Sequence, residues 1–157
     1  MLPAMDPGDF EAVVLDTTVI AAFVFNEPNR ALSRPICAQV QSDRLLAFVP
    51  DLMWAELQHV CVRKRDRDGL TQAEIDAAYG RAQALPLIEQ DRTLERYRSA
   101  AWDLLARISG VGSYDMYFLA LAIDLGVPLW TFDAALCRAV QNEGSHAERV
   151  RLVGGAG

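Results

Sequence analysis

Short apolar runs separated by longer amphipathic segments make up most of the chain. The short runs predict β-strands, because they are rich in β-branched or aromatic residues and end at turn-forming ones. The predicted strands are residues 13–16, 45–50, 85–90, 128–132 and 149–153, and the pattern of 85–90 is the weakest. The longer segments between them repeat apolar residues every three or four positions, which predicts helices.

Specific residues mark where these helices begin and end. Asp51 is predicted to cap a helix of about 14 residues, and Thr71 with Glu74 forms a capping-box pattern. Ser113 is predicted to cap a nearly all-apolar helix that ends at Gly126. Further helices are predicted over 93–108 and 134–142. Strands that alternate with helices predict an α/β fold with three α/β/α layers and a central parallel sheet of about five strands.

The length of 157 residues suits one domain, which we place at residues 12–153. Residues 1–11 are predicted to be an N-terminal extension and residues 154–157 a flexible tail. No apolar run reaches the ~18 residues of a spanning helix, and the acidic N-terminus does not resemble a signal peptide, so we expect a cytoplasmic protein without membrane contact. The hydrophobic content of 52% favours a partner that covers apolar surface.

Nitrogen and sulfur ligands are poorly placed for a metal site. The odd number of cysteines lacks C-x-x-C spacing, so we interpret Cys37, Cys61 and Cys137 as buried thiols. His59 follows Glu56 by three residues, but a di-iron site needs two such motifs. Any bound metal is therefore expected to have oxygen ligands.

The net charge of −6, from 15 basic and 21 acidic residues, by itself argues against a nucleic-acid partner. That argument weakens if several acids form one metal site. Two divalent cations would change the net charge to −6 + 4 = −2, so the metal-loaded protein would repel RNA less than the bare chain does.

Four acids are predicted to meet at one edge of the sheet. Asp16 ends the first strand, and Asp133 follows the strand 128–132. Glu56 and Asp115 lie in the first turns of helices that begin at the same edge, where α/β proteins bind ligands. Crowded carboxylates repel one another, and one or two Mg²⁺ or Mn²⁺ ions would relieve that repulsion and activate a water. The hydroxyls of the neighbouring residues are additional candidates, namely Thr18 and Thr131.

The segments LDTTVI, VPDLMWAEL and SYDMYFLALAIDLGVPLWTFD resemble PIN domains, specifically the toxin ribonucleases of VapBC-type toxin–antitoxin pairs. The resemblance covers roughly residues 12–153. Its most specific part is the acid that opens an apolar helix, followed by Gly-x-Pro, a strand and T-x-D. Met116 and Tyr117 depart from the pattern, because small residues usually follow this acid, and the sequence leaves the effect of their bulk on the substrate groove open.

The resemblance also implies which residues act and what they do. It implies metal-dependent hydrolysis of RNA, homodimerisation and inhibition by a small antitoxin protein. The acidic quartet would be Asp16, Glu56, Asp115 and Asp133, with Thr18 and Thr131 at the hydroxyl positions.

Other interpretations of these residues stay open. In one alternative, Asp16 is a simple helix cap. In another, the chain is a non-catalytic PIN-like domain that binds protein or RNA. Aspartyl-phosphate chemistry needs a lysine after a later strand, whereas the only lysine, Lys64, ends a helix. A basic cluster at the same helix end is interpreted as a solvated face rather than a phosphate site, and all three tryptophans as core residues. The basic cluster consists of Arg63, Lys64, Arg65 and Arg67. The tryptophans are Trp54, Trp102 and Trp130.

Overall fold

A five-stranded parallel sheet forms the centre of the computed structural model, which describes residues 11–91 and 93–155. The strand order is β3-β2-β1-β4-β5. The strands are β1 (Ala12–Leu15), β2 (Leu46–Pro50), β3 (Ile88–Gln90), β4 (Leu129–Thr131) and β5 (Val150–Leu152). The predicted α/β fold with five parallel strands is confirmed, and each observed strand overlaps a predicted one.

The strand order reverses between β1 and β4, and this reversal creates the site. From β1 the chain adds β2 and β3 on one side, then crosses to add β4 and β5 on the other. Val14 pairs with Phe48 of β2, and Leu15 pairs with Trp130 of β4. The loops that follow β1 and β4 therefore leave the same edge next to each other, at the position where α/β sheets bind ligands.

Seven α-helices flank the sheet within the described residues. Helix α1 contacts α2, α3 and α4, while α5 packs on α6, which contacts β1, β2 and β4. The helices are α1 (Thr17–Val24), α2 (Arg30–Gln41), α3 (Leu52–Asp68), α4 (Gln72–Gln83), α5 (Glu95–Leu105), α6 (Ser113–Leu125) and α7 (Ala134–Glu143), and a short 3-10 helix (Ala147–Arg149) precedes β5. Helix α2 is absent from the predicted elements, because Pro35 lies inside it.

The helix starts agree only partly with the predicted caps. The capping box is confirmed, since Thr71 N donates to Glu74 Oε2 at 2.8 Å and Glu74 N donates to Thr71 Oγ1 at 3.3 Å. Asp51 occupies the N-cap position of α3 without a side-chain capping bond. Ser113 is the first residue of α6 rather than its cap, and Gly112 precedes it.

Burial confirms the interpretation of the cysteines and corrects that of one tryptophan. All three cysteines are free and buried, and Trp130 lies in the core. Trp54 is half-buried, with Nε1 donating to Glu89 Oε1 at 2.7 Å. Trp102, however, is 73% exposed, so its assignment to the core was wrong. It lies on the solvent side of α5.

Most of the predicted N-terminal extension, residues 1–10, lies outside the described residues, as do residues 156 and 157 of the predicted tail. None of the described helices has the length and apolar character needed to cross a bilayer.

Candidate active site

Asp16 is the buried centre of the candidate site. It directly follows β1 and is 6% exposed. Its Oδ2 accepts hydrogen bonds from Thr18 Oγ1 and Thr131 Oγ1, both at 2.6 Å. Its side chain makes no capping bond to α1, so the interpretation of Asp16 as a simple helix cap was wrong. Burial is the largest cause that raises the pKa of Asp16; the threonine hydrogen bonds lower it, and the charge of Asp133 raises it.

The two threonine hydroxyls also join the loops that follow β1 and β4. Thr18 Oγ1 lies 3.3 Å from Thr131 Oγ1 and accepts a hydrogen bond from Phe132 N at 3.1 Å. Thr131 Oγ1 accepts one from Asp133 N at 2.9 Å. Both predicted hydroxyl residues therefore contact Asp16, and they also fix the backbone that carries Asp133.

Glu56 lies on the second turn of α3 and faces α1. Thr17 Oγ1 donates a hydrogen bond to Glu56 Oε2 at 2.5 Å. Burial raises the pKa of Glu56 to about 7, the Thr17 hydrogen bond lowers it, and the charges of Asp16 and Asp115 raise it. Thr17 itself is buried and was not predicted as a site residue. Its place in the run LDTTVI, beside two predicted residues, was the available signal.

Asp115 lies in the first turn of α6, opposite the other acids. Its Oδ2 accepts a hydrogen bond from Gly112 N at 3.0 Å, which closes the start of the helix. Burial raises the pKa of Asp115 to about 6; the Gly112 bond lowers it, and the charges of Asp16 and Asp133 raise it. Asp115 therefore interacts electrostatically with the acids that follow β1 and β4.

Asp133 has a structural role in addition to its place at this edge. Its Oδ1 accepts hydrogen bonds from Ala135 N at 2.8 Å and Leu136 N at 3.0 Å, so Asp133 is the N-cap of α7. Asn, Ser and Asp all serve well in that role. Capping alone does not explain why a charged residue stands beside Asp16 and Asp115.

The carboxylates have the donor atoms that a hard divalent cation prefers, but in the described residues they are not positioned to coordinate one ion together. Their donors are all oxygens, the ligands that Mg²⁺ prefers, and the charges of these acids raise one another's pKa. Within residues 11–91 and 93–155, no three Asp, Glu, His or Cys side chains are arranged to hold one ion as they stand. The hydrogen bonds described above hold the acids in separate positions.

The two residues that depart from the PIN pattern, Met116 and Tyr117, differ in burial. Met116 is fully buried in the core, so its side chain presents no surface to a substrate. Tyr117 is half-buried and packs against that core. His59 is exposed on α3.

Comparison with known proteins agrees with this fold. The sarcin–ricin loop cleaving toxin VapC20 of Mycobacterium tuberculosis superposes with a TM-score of 0.60 and 16% identity, over 81% of this chain and 94% of that one. VapBC2 of Rickettsia felis, bound to a promoter DNA fragment, superposes with a TM-score of 0.57 and 14% identity, over 82% of this chain and 92% of that one. VapBC-1 of nontypeable Haemophilus influenzae superposes with a TM-score of 0.55 and 14% identity, over 83% of this chain and 93% of that one.

Such low identities show the fold alone, and no curated protein sequence matches the chain. The family model of the PIN domain, by contrast, matches residues 13–141. That range contains β1 except Ala12, all of β2, β3 and β4, and all four predicted acids. The chain therefore belongs to the PIN-domain family.

Proposed function

We propose that this protein is a metal-dependent endoribonuclease that hydrolyses phosphodiester bonds of RNA and acts as the toxin of a type II toxin–antitoxin pair. The observation that supports the proposal best is the group of carboxylates around Asp16. Each of Asp16, Glu56 and Asp115 has a raised pKa to which another acid of the group contributes. Such an arrangement costs stability, and perturbed acids of this kind concentrate at functional sites.

Each residue has a role that follows from its contacts. The ligands of Mg²⁺ or Mn²⁺ would be Asp16, Glu56, Asp115 and Asp133, and the bound ion would supply a water of lowered pKa and neutralise charge on the phosphate. Thr18 and Thr131 orient Asp16, because both of their hydroxyls donate to its Oδ2. Thr17 orients Glu56 in the same way.

The proposed partners are a cognate antitoxin and a second copy of the chain. Two of the similar structures are of VapBC pairs, which supports the antitoxin. The 73% exposure of Trp102 supports an interface on α5, since large aromatic side chains are enriched at protein interfaces. Light scattering tests the dimer, because a monomer has a mass of 17.3 kDa. A single species of that mass at micromolar concentration would contradict dimerisation.

The alternative function is that of a non-catalytic PIN-like domain that binds RNA or protein. A binding domain does not need charged acids around Asp16, and replacing them by amides would leave it functional. Purified protein, incubated with RNA in Mn²⁺, distinguishes the two functions. We expect cleavage that stops in chelator.

The decisive variants are Asp16→Asn and Asp115→Asn, with Asp103→Asn as the matched control. Asp103 is an exposed acid on α5, and the change to Asn has the same size and loses the same charge. We expect cleavage to fall by two orders of magnitude or more in the first two variants and to stay at the wild-type rate in the control. Cleavage at the control rate in the Asp16 variant would contradict the proposed function.

A further inference from the structure

The basic cluster at the end of α3 divides into two pairs with different surroundings. Lys64 Nζ forms ion pairs with Glu27 at 3.1 Å and Asp68 at 3.2 Å. Arg65 Nε pairs with Asp66 at 2.7 Å. The other two residues, Arg63 and Arg67, are exposed and have no ion pair among the residues that the structure describes. Their charge is therefore available to a ligand.

Arg63 and Arg67 also lie on the same face of α3 as Glu56. They follow Glu56 by 7 and 11 residues, and at 3.6 residues per turn both point within about 20° of its direction. With a rise of 1.5 Å per residue, they stand about 10 Å and about 16 Å from Glu56 along the helix. A straight row thus leads from a proposed metal ligand to two unpaired guanidinium groups.

We propose that Arg63 and Arg67 bind backbone phosphates of the RNA strand as it leaves the candidate active site. The proposal rests on the ribonuclease function and names the surface that holds its substrate. Arginine forks bind phosphate through paired hydrogen bonds. The protein carries a net charge of −6, so an anionic strand needs positive charge close to the carboxylates. Contacts of this kind position the strand without reading its sequence.

The make-up of this face favours RNA over a protein partner. Protein interfaces are rich in exposed aromatic and apolar side chains. The exposed large apolar residue on the outer turns of α3 is Val62, which points about 120° away from Glu56. Val60, which lies between Glu56 and Arg63 and about 40° from the direction of Glu56, packs against the core, so the exposed part of the row at Arg63 and Arg67 is charged. Successive charges one helical turn apart suit a linear polyanion.

The test measures RNA binding as a function of salt. The double variant Arg63→Gln/Arg67→Gln is made in the Asp16→Asn background, so that the single-stranded RNA stays intact, and Arg65→Gln on the same helix is the control. Each phosphate contact contributes about 0.7 to the slope of log K against log salt for a single strand. We expect the slope to fall by about 1.4 in the double variant and to stay unchanged in the control.

Oligonucleotide length provides a second readout that a merely structural role would not affect. A stacked strand advances about 3.4 Å per nucleotide, so a strand bound at Glu56 would reach Arg63 after about three nucleotides and Arg67 after about five. Arg67→Gln should therefore weaken binding of long strands but not of strands too short to reach it. Arg63→Gln should weaken binding of both. Circular dichroism should show unchanged folding in each variant.

The outcomes separate this proposal from the proposed function. Cleavage by the wild type, together with unchanged slopes in the double variant, would overturn the role of the arginines and leave the ribonuclease function intact. A lower slope without any cleavage by the wild type would support the RNA surface and contradict the ribonuclease. A double variant that changes only the oligomeric state would overturn the RNA surface, because it would identify this face as a protein contact.

Discussion

The hydroxyl of Thr17, the first residue of α1, donates a hydrogen bond to Oε2 of Glu56, which lies 39 residues later on α3. This bond joins two helices at the edge where the candidate site lies. It also lowers the pKa of Glu56, which burial and two neighbouring acids raise. Thr17 therefore affects both the position and the charge of a proposed metal ligand.

Replacing Thr17 with Val tests this relationship. Valine has the same shape but no donor, so Glu56 keeps a partly buried oxygen without its partner. We expect the free energy of unfolding to fall by about 1 kcal/mol. The pKa of Glu56 should rise, which moves the acidic limb of the pH–activity profile to higher pH. Thr17→Ser, which keeps the hydroxyl, should restore that limb, and an unshifted profile in Thr17→Val would exclude the proposed role.

The stability of the metal-free protein should increase as the pH falls from 8 towards 5. The pKa of Glu56 is raised from 4.5 to about 7 and that of Asp115 from 3.8 to about 6, so in this window the native state binds more protons than the unfolded state. Protonation removes the repulsion and the cost of burying charge. Thermal melting in chelator at pH 8, 7, 6 and 5 measures the effect.

A matched variant identifies the source of that pH dependence. Glu56→Gln removes the acid whose pKa of about 7 lies above that of Asp115, so its melting temperature should change less between pH 7 and 5 than that of the wild type. Arg65 lowers the pKa of Asp66, an exposed acid, so protonation of Asp66 decreases the stability of the protein, and it does so only at lower pH. A wild-type melting temperature that falls steadily from pH 8 to 5 would contradict the assignment.

Divalent cations should stabilise the native state. An ion that binds only the folded protein adds RT ln(1 + [L]/Kd), about 2.7 kcal/mol at a hundredfold excess over Kd. We expect Mn²⁺ to raise the melting temperature of the wild type at pH 7.5, and to raise it less in Asp115→Asn because one ligand is lost. Equal melting temperatures of the wild type in Mn²⁺ and in chelator would count against a metal site.

Substitutions of Asp133 should separate its two roles. Asp133→Asn keeps the acceptor that caps α7, so its stability should stay close to that of the wild type. Asp133→Ala removes the cap and should cost about 1 kcal/mol. RNA cleavage should fall to a similar extent in both variants, because both lose the charge. If Asn kept full activity, capping would be the only role of Asp133.

Local sequence patterns predicted the elements that local chemistry determines. The box of Thr71 and Glu74 forms as its spacing requires, and the acids after β1 and β4 lie at the edge where strand order reverses. Helix α2 was not predicted, although Ile36, Cys37 and Val40 repeat at helical spacing on its buried face. Pro35 normally indicates a helix boundary, but here the buried face of the helix outweighs it.

Contacts between distant residues were harder to predict. Thr17 orients Glu56 only because α1 and α3 lie side by side, and one sequence alone does not reveal that contact. The same limit applies to the basic cluster, since Lys64 is neutralised by Glu27 from another part of the chain. Trp102 was assigned to the core on its residue type, whereas the buried face of α5 instead carries Tyr97, Ala101 and Leu104.

The hydrogen bond between Thr131 and Asp16 spans 115 residues of a chain of 157. A nascent chain that has emerged only as far as α6 already contains Asp16, Glu56 and Asp115, but it lacks β4 and Thr131, which provides one of the two hydroxyls that orient Asp16. Contacts of such long sequence separation form late in folding, because the intervening loop must close first. The order of synthesis therefore delays assembly of the carboxylate group until β4 has been made and joined to β1, and a truncated translation product would lack the complete site.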